Sequence, residues 1–129
     1  MEENTGFVIK STGSWYKVLC NGVVTECRIK GNFRVKGFET TNPVSVGDNV
    51  DFIIKKEEST GLIIHIHDRK NYIIRKSINL SHKAHIIAAN VDLAILLVTI
   101  RFPETHPIFI DRFLVSAEAY NIPVYIVFN

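Results

Sequence analysis

The dipeptide Asn21-Gly22 sits between two runs of β-forming residues, Trp15 to Cys20 and Val23 to Ile29. Asn-Gly accepts positive φ at both central positions of a tight turn whose twist matches the flanking strands, so it is a strong hairpin signal. A two-residue loop fixes the register: Cys20 faces Val23, Tyr16 faces Cys27, and Trp15 faces Arg28. Successive strand residues point to opposite faces. One face therefore carries Tyr16, Val18, Cys20, Val23, Thr25 and Cys27, a compact and mostly apolar set that suits a core. The other carries Trp15, Lys17, Leu19, Val24, Glu26 and Arg28, with an aromatic ring beside a guanidinium.

Three more short β-rich runs flank this hairpin: Gly6 to Thr12, Asn49 to Lys55 and Gly61 to Ile66. Turn residues at Thr12-Gly13-Ser14 and Val46-Gly47-Asp48 punctuate them, and Gly31 to Pro43 reads as irregular. Five short strands within residues 1–68 argue for a small closed barrel, because closure removes the exposed edges that invite aggregation. An OB-fold is the expected form, with an SH3-like barrel as the alternative.

The pattern then changes. Residues 69–86 carry Arg69, Lys70, Arg75, Lys76 and Lys83 and no acidic side chain, and read as a basic linker. From 87 to 129 the pattern is α/β. Val91 to Ile100 is almost wholly apolar, as a parallel strand buried on both faces must be. Pro107 suits a first helical turn, and Ile110, Phe113, Leu114, Ala117 and Tyr120 follow at helical spacing. Asn121 and Pro123 end the helix, and Val124 to Phe128 reads as a second buried strand. Two strands and one helix cannot cover both faces of a sheet, so the α/β part reads as incomplete, and oligomers are expected only through the apolar surface this leaves open.

Composition removes several classes. With 47% hydrophobic and 22% charged residues, the 129-residue chain is not disordered as a whole. Its longest apolar run, Leu93 to Val98, is far short of the roughly 18 residues of a membrane span. Met1-Glu2-Glu3-Asn4 lacks the apolar core of a signal peptide. Two cysteines cannot build a disulfide framework, so a cytoplasmic setting is expected. The net charge is only +2, yet Lys10 to Lys36 holds six basic residues against one acid, Glu26. A basic cluster followed by a basic linker points to a polyanionic partner.

Candidate chemistry is sparse. Cys20 and Cys27 lie on the inferred core face and not opposite each other, so they read as buried free thiols. His65 and His67 share a strand face, but no third ligand is evident beside them, and no metal site is expected. His82 and His85 fall in the basic stretch. There is no Gly-x-Ser-x-Gly, no paired-carboxylate motif and no Gly-x-x-x-x-Gly-Lys-Ser/Thr phosphate loop, so no catalytic residue is assigned. Small barrels bind nucleic-acid strands on an open face with aromatic platforms and a basic groove. Trp15, Lys17, Arg28, Lys30, Arg34 and Lys36 supply both elements. Asn129 stands beyond the carboxyl end of the last strand, where α/β sheets bind ligands.

Several segments together resemble one family. Val46-Gly47-Asp48-Asn49-Val50, Arg69-Lys70-Asn71 with Arg75, Ile87-Ala88-Ala89-Asn90-Val91-Asp92 and Ile110-Asp111-Arg112-Phe113-Leu114 resemble the ribosome small-subunit-dependent GTPase A family, the circularly permuted GTPases of ribosome maturation. Ile126-Val127-Phe128-Asn129 looks like the start of that family's Asn-Lys-x-Asp guanine motif. The resemblance implies an OB-fold contacting 16S ribosomal RNA on the small subunit, and a P-loop-type GTPase domain that begins within 87–129. It implies GTP as the ligand of the longer protein, Asn129 as a guanine-site residue, and a C-terminal zinc-binding domain outside this sequence. The Lys and Asp of the guanine motif and the phosphate loop are missing, so these residues alone are expected not to hydrolyse GTP. The alternatives are a stand-alone barrel for single-stranded nucleic acid, and a barrel that binds protein.

Overall fold

The computed structural model describes residues 2–29, 43–76 and 84–129. Lys30, Arg34, Lys36 and His82 lie outside the described residues, as does most of the stretch read as irregular. Among the described residues, no helix is long and apolar enough to cross a membrane.

Five strands form a closed barrel in the order β1-β2-β3-β5-β4. They are β1 (Glu3–Thr12), β2 (Trp15–Cys20), β3 (Val23–Ile29), β4 (Asn49–Ile54) and β5 (Gly61–Ile66). This is the five-stranded barrel of the OB-fold reading. Asn21 and Gly22 take φ of 49° and 77°, the left-handed pair that a tight hairpin needs. The register is the expected one, with Cys20 opposite Val23 and Tyr16 opposite Cys27. Parallel pairing of β3 with β5 and antiparallel pairing of β1 with β4 close the cylinder. Val8, Tyr16, Val18, Cys27, Val44, Val50, Phe52 and Ile63 fill it. Val23 departs from its expected inward face and is 63% exposed. It stands at the hairpin tip, past the rim of the barrel, where alternation no longer implies burial.

The stretch read as a linker carries regular structure. β6 (Tyr72–Lys76) and β7 (Ala84–Ala89) pair antiparallel into a two-stranded sheet. Asn90, at φ 53°, turns the chain out of this hairpin. The α/β unit follows as β8 (Ala94–Val98), α1 (Pro107–Ala119) and β9 (Val124–Phe128), the two strands being parallel. Pro107 occupies the first helical turn, and His106 caps it by accepting from the Ile108 N–H at 3.2 Å. Asn121, at φ 54°, follows the C-cap in the left-handed conformation that ends many helices. Ala117 of α1 packs on Ala94 and Ile122, with Ile73 of the hairpin, Phe113, Tyr120 and Val124 around them.

Neither strand of this unit is buried on both faces, contrary to expectation. β8 alternates buried and exposed residues, and Ile95, Leu97, Tyr125 and Val127 form an open apolar face. Their pairing across the sheet places them side by side, Ile95 with Tyr125 and Leu97 with Val127. One helix can shield only one face, and here it shields β8 more than β9.

Candidate nucleic-acid interface

The outer surface of β1, β2 and β3 is built in rows by the strand register. Phe7, Leu19 and Val24 lie side by side, and next come Lys10, Lys17 and Glu26. Lys10 owes its outward position to a register shift between Val8 and Lys10, which turns a residue of inward parity to the outside. The last row is Thr12, Trp15 and Arg28, and there the Arg28 guanidinium carbon lies 4.0 Å from the Trp15 ring centroid. Arg28 is exposed and Trp15 half-buried. A guanidinium over an indole face is attracted by the ring quadrupole. Three of the six expected contact residues, Trp15, Lys17 and Arg28, thus share one surface. Lys10 joins them and was not in the expected set.

Asn129 is exposed at the end of β9, and its backbone N–H donates to Val98 O at 2.9 Å. Its side chain is therefore carried at the carboxyl edge of the parallel pair, the position expected for a ligand contact.

Three of the segments that carry the family resemblance, around Asp48, Arg69 and Asn90, meet at the junction of barrel and hairpin, whereas Ile110–Leu114 lies on α1. Asp48 is fully buried and accepts from Arg69 Nε at 2.6 Å, from Arg69 Nη2 at 2.7 Å and from the Ser45 backbone N–H at 2.8 Å. Arg69 also donates to Pro43 O at 2.9 Å. Gly47, at φ 97°, approaches Ala89 so closely that a Cβ there would lie 1.9 Å from the Ala89 carbonyl oxygen. Asn90 Nδ2 donates to Gly47 O at 2.8 Å, and Ala89 N–H to Val46 O at 2.8 Å. Asn71 exchanges two bonds with the Val91 backbone, at 2.6 and 2.8 Å, and Lys70 pairs with Asp92. These bonds tie Val46–Asp48, Arg69–Asn71 and Asn90–Asp92 into one hydrogen-bonded joint.

The histidine pair does have a third neighbour. Asp51 of β4 lies opposite His65 of β5 and opposite Thr5 of β1. It accepts from Thr5 Oγ1 at 2.6 Å and bonds His67 Nε2 at 2.8 Å. Burial pushes the Asp51 carboxyl up, but the hydrogen bonds of His67 and Thr5 and the charges of His67 and His65 outweigh it and hold it below its ordinary value. Sequence spacing shows the two histidines; only the β4–β5 pairing adds the carboxylate. The two cysteines are free, as expected, and burial pushes the Cys27 thiol up to about 11.

A closed five-stranded barrel, a hydrogen-bonded joint and a strand–helix–strand with parallel strands define a class of protein: a small barrel domain joined to an α/β segment. Known proteins give the family. The model of the RsgA N-terminal domain matches residues 5–63, and that of the RsgA GTPase matches residues 66–129. The chain belongs to the RsgA family. It is 60% identical over 125 residues to the small ribosomal subunit biogenesis GTPase RsgA of Bacteroides fragilis (strain YCH46), a match covering 96% of this chain and 40% of that protein. It is 58% identical over 128 residues to the RsgA of Flavobacterium psychrophilum, covering 97% and 39%. Among solved structures, YjeQ from Thermotoga maritima superposes with a TM-score of 0.65 at 29% identity, over 99% of this chain and 41% of that one. YloQ, described as a circularly permuted GTPase, gives 0.62 at 26% identity, over 98% and 40%. The chain therefore spans about two fifths of the length of the relatives it matches.

Proposed function

We propose that this chain is the RNA-contacting portion of a cytoplasmic GTPase that acts in maturation of the small ribosomal subunit, with the OB-fold barrel docking on 16S ribosomal RNA. The observation that supports it most is the outer surface of the β2–β3 hairpin, where Trp15 and Arg28 stack beside Lys17 and Lys10. Stacking a base on an aromatic ring contributes about 1–3 kcal/mol, and each neutralised phosphate adds salt-dependent affinity. Lys30, Arg34 and Lys36, outside the described residues, belong to the proposed RNA-contact set in this reading. The partners are the small subunit and its RNA, with GTP bound by the longer protein. Asn129 supplies a side-chain amide to the guanine edge there, and zinc is expected in the family's C-terminal domain, outside these residues.

The chain on its own carries no phosphate loop, and we expect it to bind GTP more weakly than about 100 µM, a free energy no better than roughly −5.5 kcal/mol. A titration that returns tighter binding overturns that expectation. The test of the RNA reading uses Trp15, the single tryptophan of the chain, as its own reporter. Added 16S ribosomal RNA should change its fluorescence saturably, more tightly than an unrelated single-stranded RNA of the same length. Equal affinity for both RNAs would favour a general single-strand-binding barrel instead. No saturable change with either RNA would reject the chosen face.

A further inference from the structure

We infer that Asp51, His65 and His67 form a binding site for a divalent transition metal of the zinc class on the outer surface of β1, β4 and β5. One carboxylate oxygen and one nitrogen from each imidazole all lie within 4.8 Å of one another. Zinc bonds imidazole nitrogen at about 2.0–2.1 Å and carboxylate oxygen at about 2.0–2.2 Å, so ligand atoms around one ion sit about 3.3 Å apart. Side-chain movements of about 1.5 Å or less, with the His67–Asp51 hydrogen bond exchanged for the ion, bring this trio onto that spacing.

The strands themselves set the arrangement. A register irregularity between Asp51 and Phe52 keeps Asp51 and His65 opposite each other while Phe52 pairs with Ile63 in the core. His67 follows two residues on, and its backbone N–H is anchored to Asn49 O at 2.9 Å. The two imidazoles stand edge to face, 5.1 Å between centroids and 71° between planes. Thr5 Oγ1 donates to Asp51 Oδ1, the same oxygen that meets His67 Nε2, and so stands as an outer-shell donor to the carboxylate. Two imidazoles and one carboxylate are a borderline donor set that suits zinc over magnesium, which prefers oxygen alone. Three protein ligands leave a fourth position to water or an anion. His65 is exposed and His67 is 42% exposed, so ions reach the site from solvent.

The experiment titrates Zn2+ into the full chain by calorimetry, with an excess of Mg2+ as competitor. The expected result is one saturable Zn2+ site that Mg2+ does not displace. His65→Ala, His67→Ala and Asp51→Asn should each weaken it at least about tenfold, and Thr5→Val by about tenfold as an outer-shell partner. His85→Ala and His106→Ala should leave it unchanged. A second measurement does not depend on the variants folding: Zn2+ added to the unaltered chain should shift the imidazole NMR signals of His65 and His67 and spare those of His85 and His106. Absence of saturable binding, displacement by Mg2+, binding that survives loss of both His65 and His67, or signals that shift only at other histidines would each overturn the inference.

Discussion

Replacing Arg69 by Met should be among the most damaging single changes in the barrel half of the chain. Asp48 is wholly buried, the Arg69 side chain is only 10% exposed, and among the described residues two of the three hydrogen bonds to the Asp48 carboxylate come from Arg69. Met keeps the aliphatic volume but leaves a buried carboxylate that, among the described residues, is held only by the Ser45 N–H. Removing one partner of a buried pair costs about 3–5 kcal/mol, whereas an exposed pair costs at most about 1. With a urea slope of about 2 kcal/mol/M, the unfolding midpoint should fall by about 2 M. Asp48→Asn removes the stranded charge while retaining an acceptor for Ser45. The double variant Asp48→Asn, Arg69→Met should therefore be more stable than the two single losses added together, by about 0.5–3 kcal/mol. The assay is urea denaturation followed by Trp15 fluorescence on all four proteins. A loss below about 1 kcal/mol for Arg69→Met, or losses that simply add, would mean that the pair is not the buried, coupled joint described here.

Gly47→Ala should cost at least about 1–3 kcal/mol, because φ of 97° and the Ala89 carbonyl both oppose a Cβ; amide exchange at Ala89, which bonds Val46 O, should speed up, and unchanged exchange would refute the close approach. Iodoacetamide at pH 8 should label the half-buried Cys20 first and Cys27 only after denaturant is added; equal labelling would contradict the Cys27 environment. Because folding raises the Cys27 thiol to about 11, its contribution to stability is intact below the unfolded thiol value and is lost as pH rises through about 11. The opposite slope, stability rising over that alkaline window in Cys27-intact protein relative to Cys27→Ala, would refute the assignment. The open apolar face should drive self-association, and Ile95→Lys with Leu97→Lys should reduce it in sedimentation; an unaltered, monomeric sedimentation profile of the parent chain would exclude this face as a contact.

What the sequence revealed divides along physical lines. The β2–β3 register was legible because Asn21-Gly22 admits essentially one turn length, and the helix because Pro107, the apolar spacing and Asn121 agree. β6 and β7 were hidden by their charge: Arg75 and Lys76 suggested a solvated linker, although Ile73, Ile74, Ile86 and Ile87 supply strand residues. The outward turn of Lys10 depends on a bulge, and sequence alternation alone does not mark where one falls. Asp51 is far from His65 and His67 along the chain, and only knowledge that β4 pairs with β5 unites them. β9 reads as a buried strand because its residues are apolar, but apolarity reports what a strand can bury, not whether a covering layer is present.

Co-sedimentation with isolated ribosomal subunits tests the central claim most directly. The unaltered chain should travel with small subunits and not with large ones, and the variant Trp15→Ala, Lys17→Ala, Arg28→Ala should lose that association while keeping the far-UV spectrum of the parent. Equal binding to both subunits, or small-subunit binding undiminished in the triple variant, would contradict the assignment of ribosome recognition to the outer surface of the β2–β3 hairpin.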